Sequence, residues 1–133
     1  MKLYIAAYAG AFITFLALDA VWLTLTAKSF YQARLGDLMA PDPNFAVAGI
    51  FYVFFAVAVV ILASLPGLEK QSAMAAIGMG AVLGLAAYGT YDMTNLATLR
   101  NWPVSVTIVD LIWGTFVTSA SAAGGYAAAK YFG

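Results

Sequence analysis

The sequence predicts an all-α membrane protein, a bundle of four transmembrane helices with a short interfacial helix between helices one and two. Hydrophobic residues occupy 64% of the 133 positions, whereas charged residues occupy only 9%. A typical soluble domain is about half apolar and roughly a quarter charged. The mean hydropathy is +0.90, and the chain contains four apolar stretches of about 20 residues or more, the length that crosses a bilayer.

The four helices are expected to form a single integral membrane domain. Pro66 and Gly67 are expected to end the second helix, and Pro103 suits the first turn of the fourth. The apolar run after Lys2 exceeds the roughly 7–15 residues of a signal-peptide core, so we expect a retained first helix. The domain covers residues 1–133, and the expected helices are about 3–27, 45–65, 71–99 and 103–131.

The short segment between the first two helices is predicted to be amphipathic. If it is helical, its apolar side chains share one face and its charged side chains lie elsewhere, which is typical of a helix in the membrane interface. A structured loop is the alternative. The residues on the apolar face are Tyr31, Leu35, Leu38 and Met39, and those away from it are Lys28, Gln32 and Arg34.

The charge distribution gives only a weak signal for orientation. We call the membrane side that holds the N terminus side A and the opposite side B. Three basic residues flank the helices on each side, so the positive-inside rule gives no majority. The free α-amine and the acidic pair Asp37 and Asp42 on side B favour a cytoplasmic N terminus.

Three aspartates, Asp19, Asp92 and Asp110, lie within the expected spans. A charge near a helix centre costs about 2.5–3.5 kcal/mol on insertion scales, so intramembrane carboxylates are candidates for functional sites. Because the helices alternate in direction, all three fall in the half of the membrane nearer side B. We therefore expect them to form one polar site. The alternative is that they are neutral, hydrogen-bonded to their neighbours and needed only to align the helices.

Several aromatic and polar residues of the same half are candidates for binding. Trp22 and Trp113 each follow an aspartate by three residues, which places ring and carboxylate on one helical face. Arg100 would either neutralise an aspartate or extend outward to the interface. Trp102 is expected in an aromatic belt. The candidate binding residues are Trp22, Tyr88, Tyr91, Asn95, Arg100 and Trp113.

The composition excludes several kinds of chemistry. The chain has no Cys and no His, so thiolate, haem–His and Cys-held metal sites are absent. No metal and no cofactor are predicted, although the composition does not exclude an organic lipophilic cofactor. The formal net charge is zero, so a basic footprint for nucleic acid is missing as well. Any acid–base catalysis would use Asp92, Asp110 or Asp19, assisted by Tyr88 or Tyr91, and the sequence does not decide whether the protein is an enzyme.

A small-residue motif lies in the third helix. Gly80 and Gly84 form a GxxxG step, which lets helices approach closely in lipid. Packing within the molecule is favoured over a homodimer interface.

Three stretches resemble a known family. They are Leu18–Trp22 (LDAVW), Tyr88–Pro103 (YGTYDMTNLATLRNWP) and Asp110–Thr115 (DLIWGT). They closely resemble the small bacterial membrane proteins grouped as domain of unknown function 2177. The resemblance spans essentially the whole chain and implies a four-helix protein of the bacterial inner membrane, with no activity assigned.

Three functions are compatible with these features. The first is binding or modification of a lipid-like or other lipophilic molecule at an aromatic-lined polar site. The second is an accessory subunit or assembly factor of a larger membrane complex. The third is a small proton-coupled transporter, for which protonatable carboxylates are the motivation. The expected partners are membrane lipids, a lipophilic small molecule, and either a second copy of the chain or a membrane complex.

Overall fold

The computed structural model describes all 133 residues and consists of helices joined by short turns, without strands. Four helices are long and apolar enough to cross a membrane. The predicted all-α membrane fold with four spans is therefore confirmed. The helices are Lys2–Thr26, which continues in helical turns to Leu38, then Phe45–Glu69, Ala73–Thr98 and Val104–Phe132.

The second helix continues past its expected end. A π-helical turn at Val60–Ser64 is followed by the α-helical segment Leu65–Glu69, and Pro66 lies in the first turn of that segment. Proline is tolerated in the first turn of a helix because its missing N–H has no partner to bond there. Pro66 therefore does not end the helix, which turns into the third only after Glu69.

Side chains cap two of the helices at their N termini. The Asn44 side chain accepts a hydrogen bond from the Val47 N–H at 3.1 Å, and the Ser72 hydroxyl accepts one from the Ala75 N–H at 3.0 Å. Each cap satisfies a backbone donor that the first turn leaves free. The second and third helices thus begin at positions that the sequence marks.

The first helix bends after Thr26. Trp22 donates its indole N–H to the Tyr31 hydroxyl at 3.1 Å, nine residues away. In a straight helix such residues would lie on opposite faces and about 13.5 Å apart along the axis. The bend coincides with the π-helical turn Ala27–Gln32, and it brings the following segment over the B-side end of the bundle. A location of this segment in the membrane interface stays a prediction.

The fourth helix packs along both the first and the third helix. At the crossing with the first helix, a Cβ atom on Gly10 would lie 2.4 Å from the Gly124 carbonyl oxygen. At the crossing with the third helix, a Cβ atom on Gly84 would lie 2.2 Å from the Gly114 carbonyl oxygen. Gly80 also faces the fourth helix. The GxxxG step therefore serves packing within the molecule.

The second helix is attached mainly at its A-side end. Its Val60–Ser64 and Leu65–Glu69 segments contact the third helix, whereas its Phe45–Val59 segment mainly contacts the first. In the A-side half, the buried Ser64 hydroxyl donates to the Ala122 carbonyl oxygen at 2.9 Å. The second and third helices consequently diverge toward side B.

Candidate functional site

The divergence of the helices leaves a cavity in the B-side half of the bundle. Its volume is about 620 Å³, and sixteen residues line it. All four helices contribute to the walls, and the segment after the bend contributes Ala27, Tyr31, Leu35 and Met39. These four recur at every fourth position, so one face of that segment covers the cavity. We call this space the B-side cavity.

An apolar cleft lies beside the cavity, between the second and third helices. Its volume is about 740 Å³, and it shares Phe51, Tyr88 and Tyr91 with the B-side cavity. Phe54, another residue of its wall, is 66% exposed, so the cleft is open to the lipid-facing surface. We call it the lateral cleft. Its other lining residues are Phe55, Ala58, Leu83, Ala87 and Thr90.

Asp19, on the first helix, is held by two hydrogen-bond donors from other helices. Its side chain is only 7% exposed. The Tyr52 hydroxyl, on the second helix, donates to one carboxylate oxygen. The Trp113 indole N–H, on the fourth helix, donates to the other at 3.4 Å. The carboxylate of Asp19 therefore links three helices at the wall of the cavity.

Asp110, on the fourth helix, is held by the segment after the bend. The Tyr31 hydroxyl donates to its carboxylate and accepts the indole N–H of Trp22. A second contact between the same elements lies nearby, where the Arg34 guanidinium donates to the Ser105 hydroxyl at 3.1 Å. The covering segment is thus attached to the fourth helix through Tyr31 and Arg34.

The two Asp-x-x-Trp motifs meet across the first and fourth helices. The rings of Trp22 and Trp113 stack with centroids 4.4 Å apart and planes inclined by 7°. Because the helices are antiparallel, each motif presents its tryptophan to the partner motif's aspartate. Trp113 bonds Asp19 directly, whereas Trp22 reaches Asp110 through Tyr31. The shared motif therefore builds a reciprocal pair of carboxylate sites.

Asp92, on the third helix, is the most deeply buried of the three carboxylates. It is fully buried, and neither of its carboxylate oxygens has a hydrogen-bond partner. Its carboxyl group lies near that of Asp110. Two ionised carboxylates can only accept, so this pair can bond only through a proton or a donor supplied from outside. Asp92 thus lies directly behind the cavity wall formed by Asp110.

Neighbouring side chains contact both aromatic rings of the third helix, although Tyr91 is 58% exposed. A Cβ atom on Gly114 would lie 2.1 Å from the ring carbon Cγ of Tyr88, so the glycine makes room for that ring. Tyr91 packs edge-on against Trp102, with ring centroids 5.8 Å apart. The Trp102 indole N–H donates to the Thr107 hydroxyl at 3.1 Å. Trp102 also lines the cavity, and its place in an aromatic belt stays a prediction.

The structure separates the residues expected at the site into two groups. Asp92, Asn95 and Arg100 do not line the cavity. Asn95 lies near the Tyr91 hydroxyl, and Arg100 is exposed, in agreement with the outward alternative. The expected residues that line the cavity are Asp19, Asp110, Trp22, Tyr88, Tyr91 and Trp113. The functional roles expected of both groups stay predictions.

Two residues that contact the carboxylates were not among the expected candidates, Tyr31 and Tyr52. Tyr31 was expected on the apolar face of the interfacial segment. Its phenol hydroxyl was the one feature of the sequence that could have indicated a polar partner. Tyr52 lies in an apolar run without other polar atoms, where a hydroxyl needs a partner inside the bundle. The rule that a buried phenol seeks an acceptor would have linked both residues to the aspartates.

The arrangement permits proton exchange but does not gather a metal-binding cluster. Each of two carboxylates accepts a phenol O–H, and the Asp92–Asp110 pair can share a proton. No three acidic side chains come together in a group that could hold a metal ion. The tryptophans and tyrosines of the cavity are also the side chains that an organic ligand would contact.

The fold and its four apolar spans define a multi-pass helical membrane protein. The family model described as predicted membrane protein (DUF2177) matches residues 4–127. The chain belongs to this family, as its resemblance implied. No curated protein and no solved structure matches the chain.

Proposed function

We propose that the protein binds a lipid-like amphipathic molecule in the B-side cavity. The observation that carries the proposal is that the B-side cavity and the lateral cleft adjoin. A cavity with carboxylates and phenols in its wall adjoins an apolar cleft that opens to lipid, and the two share Phe51, Tyr88 and Tyr91. An amphipathic ligand would place its polar end among the carboxylates and its apolar part in the cleft.

The size and lining of the cavity support this function. Ligand sites typically measure about 300–1,000 Å³ and combine apolar walls with a few placed polar groups. The B-side cavity has a volume of about 620 Å³, and fourteen of its sixteen lining residues are hydrophobic or aromatic. Asp19 and Asp110 would orient the ligand. Any reaction on it would be acid–base chemistry by Asp92 and Asp110.

The family resemblance supports a bacterial inner membrane, and the acidic pair Asp37 and Asp42 on side B supports a cytoplasmic N terminus. We place the protein in the inner membrane of a bacterium, with its N terminus in the cytoplasm. Side B, which the cavity faces, would then be the periplasmic side. A reporter enzyme that works only in the periplasm, fused after Ala40 on side B, would test this orientation. We expect the fusion to be active.

The packing of the A-side half speaks against the transport alternative. A proton path across the membrane needs polar groups or water along its length. On the A side of the cavity the buried core is mainly apolar, and its buried Ser64 and Ser121 hydroxyls donate to backbone carbonyl oxygens rather than to each other. The accessory-subunit alternative is compatible with the fold, and no particular contact favours it.

Native mass spectrometry of protein extracted gently from its own membranes tests the proposal. We expect a defined lipophilic adduct on the wild-type chain and none on the double variant Asp92→Asn/Asp110→Asn. The double variant Asp37→Asn/Asp42→Asn is the matched control, because both residues are exposed on side B and neither lines the cavity. This control should retain the adduct.

Two outcomes would contradict the proposal. One is a bare wild-type chain under conditions that preserve lipid adducts on other membrane proteins. The other is an adduct that persists unchanged in Asp92→Asn/Asp110→Asn, because the ligand would then lie elsewhere. A protein partner at fixed stoichiometry would instead favour the accessory-subunit function.

A further inference from the structure

The charge around the B-side cavity has one sign. Asp19 and Asp110 are the only charged residues in its wall, and Asp92 lies behind Asp110. The chain has six basic residues, and none of them lines the cavity. The basic residue near the wall, Arg34, donates to Ser105 and packs over the Phe30 ring outside the cavity. A ligand with an anionic head would therefore meet carboxylates in the wall itself, where no cation offsets the repulsion.

The hydrogen-bonding groups of the wall show a matching asymmetry. Most donors already bond to protein acceptors, whereas the Asp19 and Asp110 carboxylates keep free lone pairs. A ligand that accepts hydrogen bonds would find few donors, and a ligand that donates them would find several acceptors. The donors already in use are Trp22, Tyr31, Tyr52, Trp102 and Trp113.

The aromatic rings add a second attraction for positive charge. Half of the sixteen residues that line the cavity are aromatic, among them the stacked Trp22 and Trp113. The face of an indole or phenol ring attracts a cation within about 6 Å of its centroid. Desolvation inside the cavity strengthens this attraction.

We propose that the ligand is an amphiphile with a cationic ammonium head and an alkyl tail. This inference rests on the proposed function and specifies the ligand's chemistry. The head lies in the B-side cavity, between the aromatic rings and the carboxylates of Asp19 and Asp110. The tail runs past Tyr88 and Tyr91 into the lateral cleft, whose wall on the third helix extends from Leu83 to Tyr91.

The test compares two probes that share one tail and differ only in head charge. Hexadecylammonium, whose head carries the positive charge and donates N–H hydrogen bonds, and hexadecyl sulfate are titrated at neutral pH and low mole fraction into the purified full-length protein in dodecyl maltoside micelles. Binding is followed by tryptophan fluorescence, since Trp22 and Trp113 both line the cavity. We expect the ammonium probe to bind about tenfold more tightly or better, the ratio that 1.4 kcal/mol of added attraction gives.

The variants assign this preference to the carboxylates. Asp110→Asn should reduce a tenfold preference to about threefold, because it removes one of the two carboxylate charges of the wall while keeping the side-chain shape. Asp42→Asn should leave the preference at the wild-type value, since Asp42 is exposed and lies outside the cavity. Equal binding of the two probes to the wild type would overturn the proposal without any variant, so a misfolded variant cannot hide its failure.

The outcomes distinguish this inference from the function on which it rests. Equal affinities for the two probes, both weakened by Ala87→Trp in the lateral cleft, would leave a lipid-binding site and overturn the cationic head. An affinity for neither probe, with no fluorescence change, would overturn the inference and remove support from the binding function itself. A charge preference that survives Asp110→Asn and Asp19→Asn together would place the cation elsewhere and also overturn the inference.

Discussion

The A-side and B-side halves of the bundle are packed by different kinds of side chain. In the A-side half, helices touch through small residues, and Gly10 and Gly124 bring two backbones into contact. In the B-side half, aromatic rings separate the helices and leave a cavity of about 620 Å³. Small residues allow close packing in lipid at little cost in side-chain entropy. Large rings held by a few hydrogen bonds leave space between them.

The polar groups of the two halves differ in the same way. In the A-side half, the buried Ser64 and Ser121 hydroxyls donate to carbonyl oxygens at 2.9 Å and 2.7 Å. The buried Thr118 hydroxyl, at the middle of the fourth helix, has no partner. In the B-side half, Asp92 is fully buried and both of its carboxylate oxygens lack partners. A buried polar group without a partner costs stability. The A-side half therefore stabilises the fold. The B-side half provides the binding site, and its unpartnered carboxylate lowers the stability of the fold.

The largest expected effect is the loss of close packing in the A-side half. A Cβ atom on Gly80 would lie 2.9 Å from the Ala122 Cβ and 3.0 Å from the Ser119 Cα. We expect Gly80→Leu to lower the free energy of unfolding by about 3 kcal/mol, since an overpacked core forces backbone shifts. Titration of the micelles with sodium dodecyl sulfate, followed by circular dichroism, measures this change.

Gly78, two positions earlier in the same helix, provides the matched control. A Cβ atom there meets nothing within 4 Å. Gly78→Leu should therefore leave stability unchanged or raise it slightly, because leucine favours helix more than glycine does. Similar losses from the two substitutions would break the comparison, because the A-side half would not then depend on close contact between helices.

The next effect concerns the phenols of the B-side half. Tyr52 donates to the Asp19 carboxylate from the second helix, and its loss leaves that carboxylate with only the Trp113 indole. We expect Tyr52→Phe to lower the free energy of unfolding by about 2 kcal/mol, a value within the range for a hydrogen bond to a charged group. The same denaturant titration applies.

Tyr8 is the control for Tyr52, because it joins the same two helices. Its hydroxyl donates to the Val53 carbonyl oxygen at 3.1 Å, where the bond is exposed. Tyr8→Phe should cost only about 0.5 kcal/mol, as for a neutral exposed bond. If Tyr8→Phe cost as much as Tyr52→Phe, the carboxylate would add nothing, and the polar network of the cavity would be ordinary helix pairing.

The sequence predicted the fold because a segment that crosses lipid must consist mainly of apolar residues. Four apolar stretches of sufficient length could only be helices, since backbone groups in lipid must bond within their own segment. The predicted bounds missed the continuation past Pro66, where a π-helical turn precedes the proline and lets the helix proceed. Such a turn depends on packing against neighbouring helices, which the sequence does not encode locally.

The sequence predicted the site residues that belong to a local motif. It did not predict those that only the tertiary structure brings to the site. The Asp-x-x-Trp motifs at Asp19 and Asp110 placed ring and carboxylate on one face, and their reciprocal contact follows from the antiparallel pairing of the helices. Tyr52 lies in an apolar run in which every position looks alike. Tyr31 reaches the site only because the first helix bends after Thr26, and no breaker residue marks that bend.

The smallest expected effect is a gain in stability at Asp92. An amide at this position would keep the shape of the side chain and provide an N–H donor for the nearby Asp110 carboxylate. We therefore expect Asp92→Asn to raise the free energy of unfolding by about 1 kcal/mol, the value of one added hydrogen bond. Asp37→Asn, at an exposed position, should leave the free energy of unfolding unchanged.

A clear loss of stability in Asp92→Asn would mean that the carboxyl pair already shares a stabilising proton, and the cost assigned to the B-side half would be wrong. A gain in stability accompanied by loss of the lipophilic adduct would show that Asp92 is retained for binding, because the better-folded chain would be the one that no longer binds.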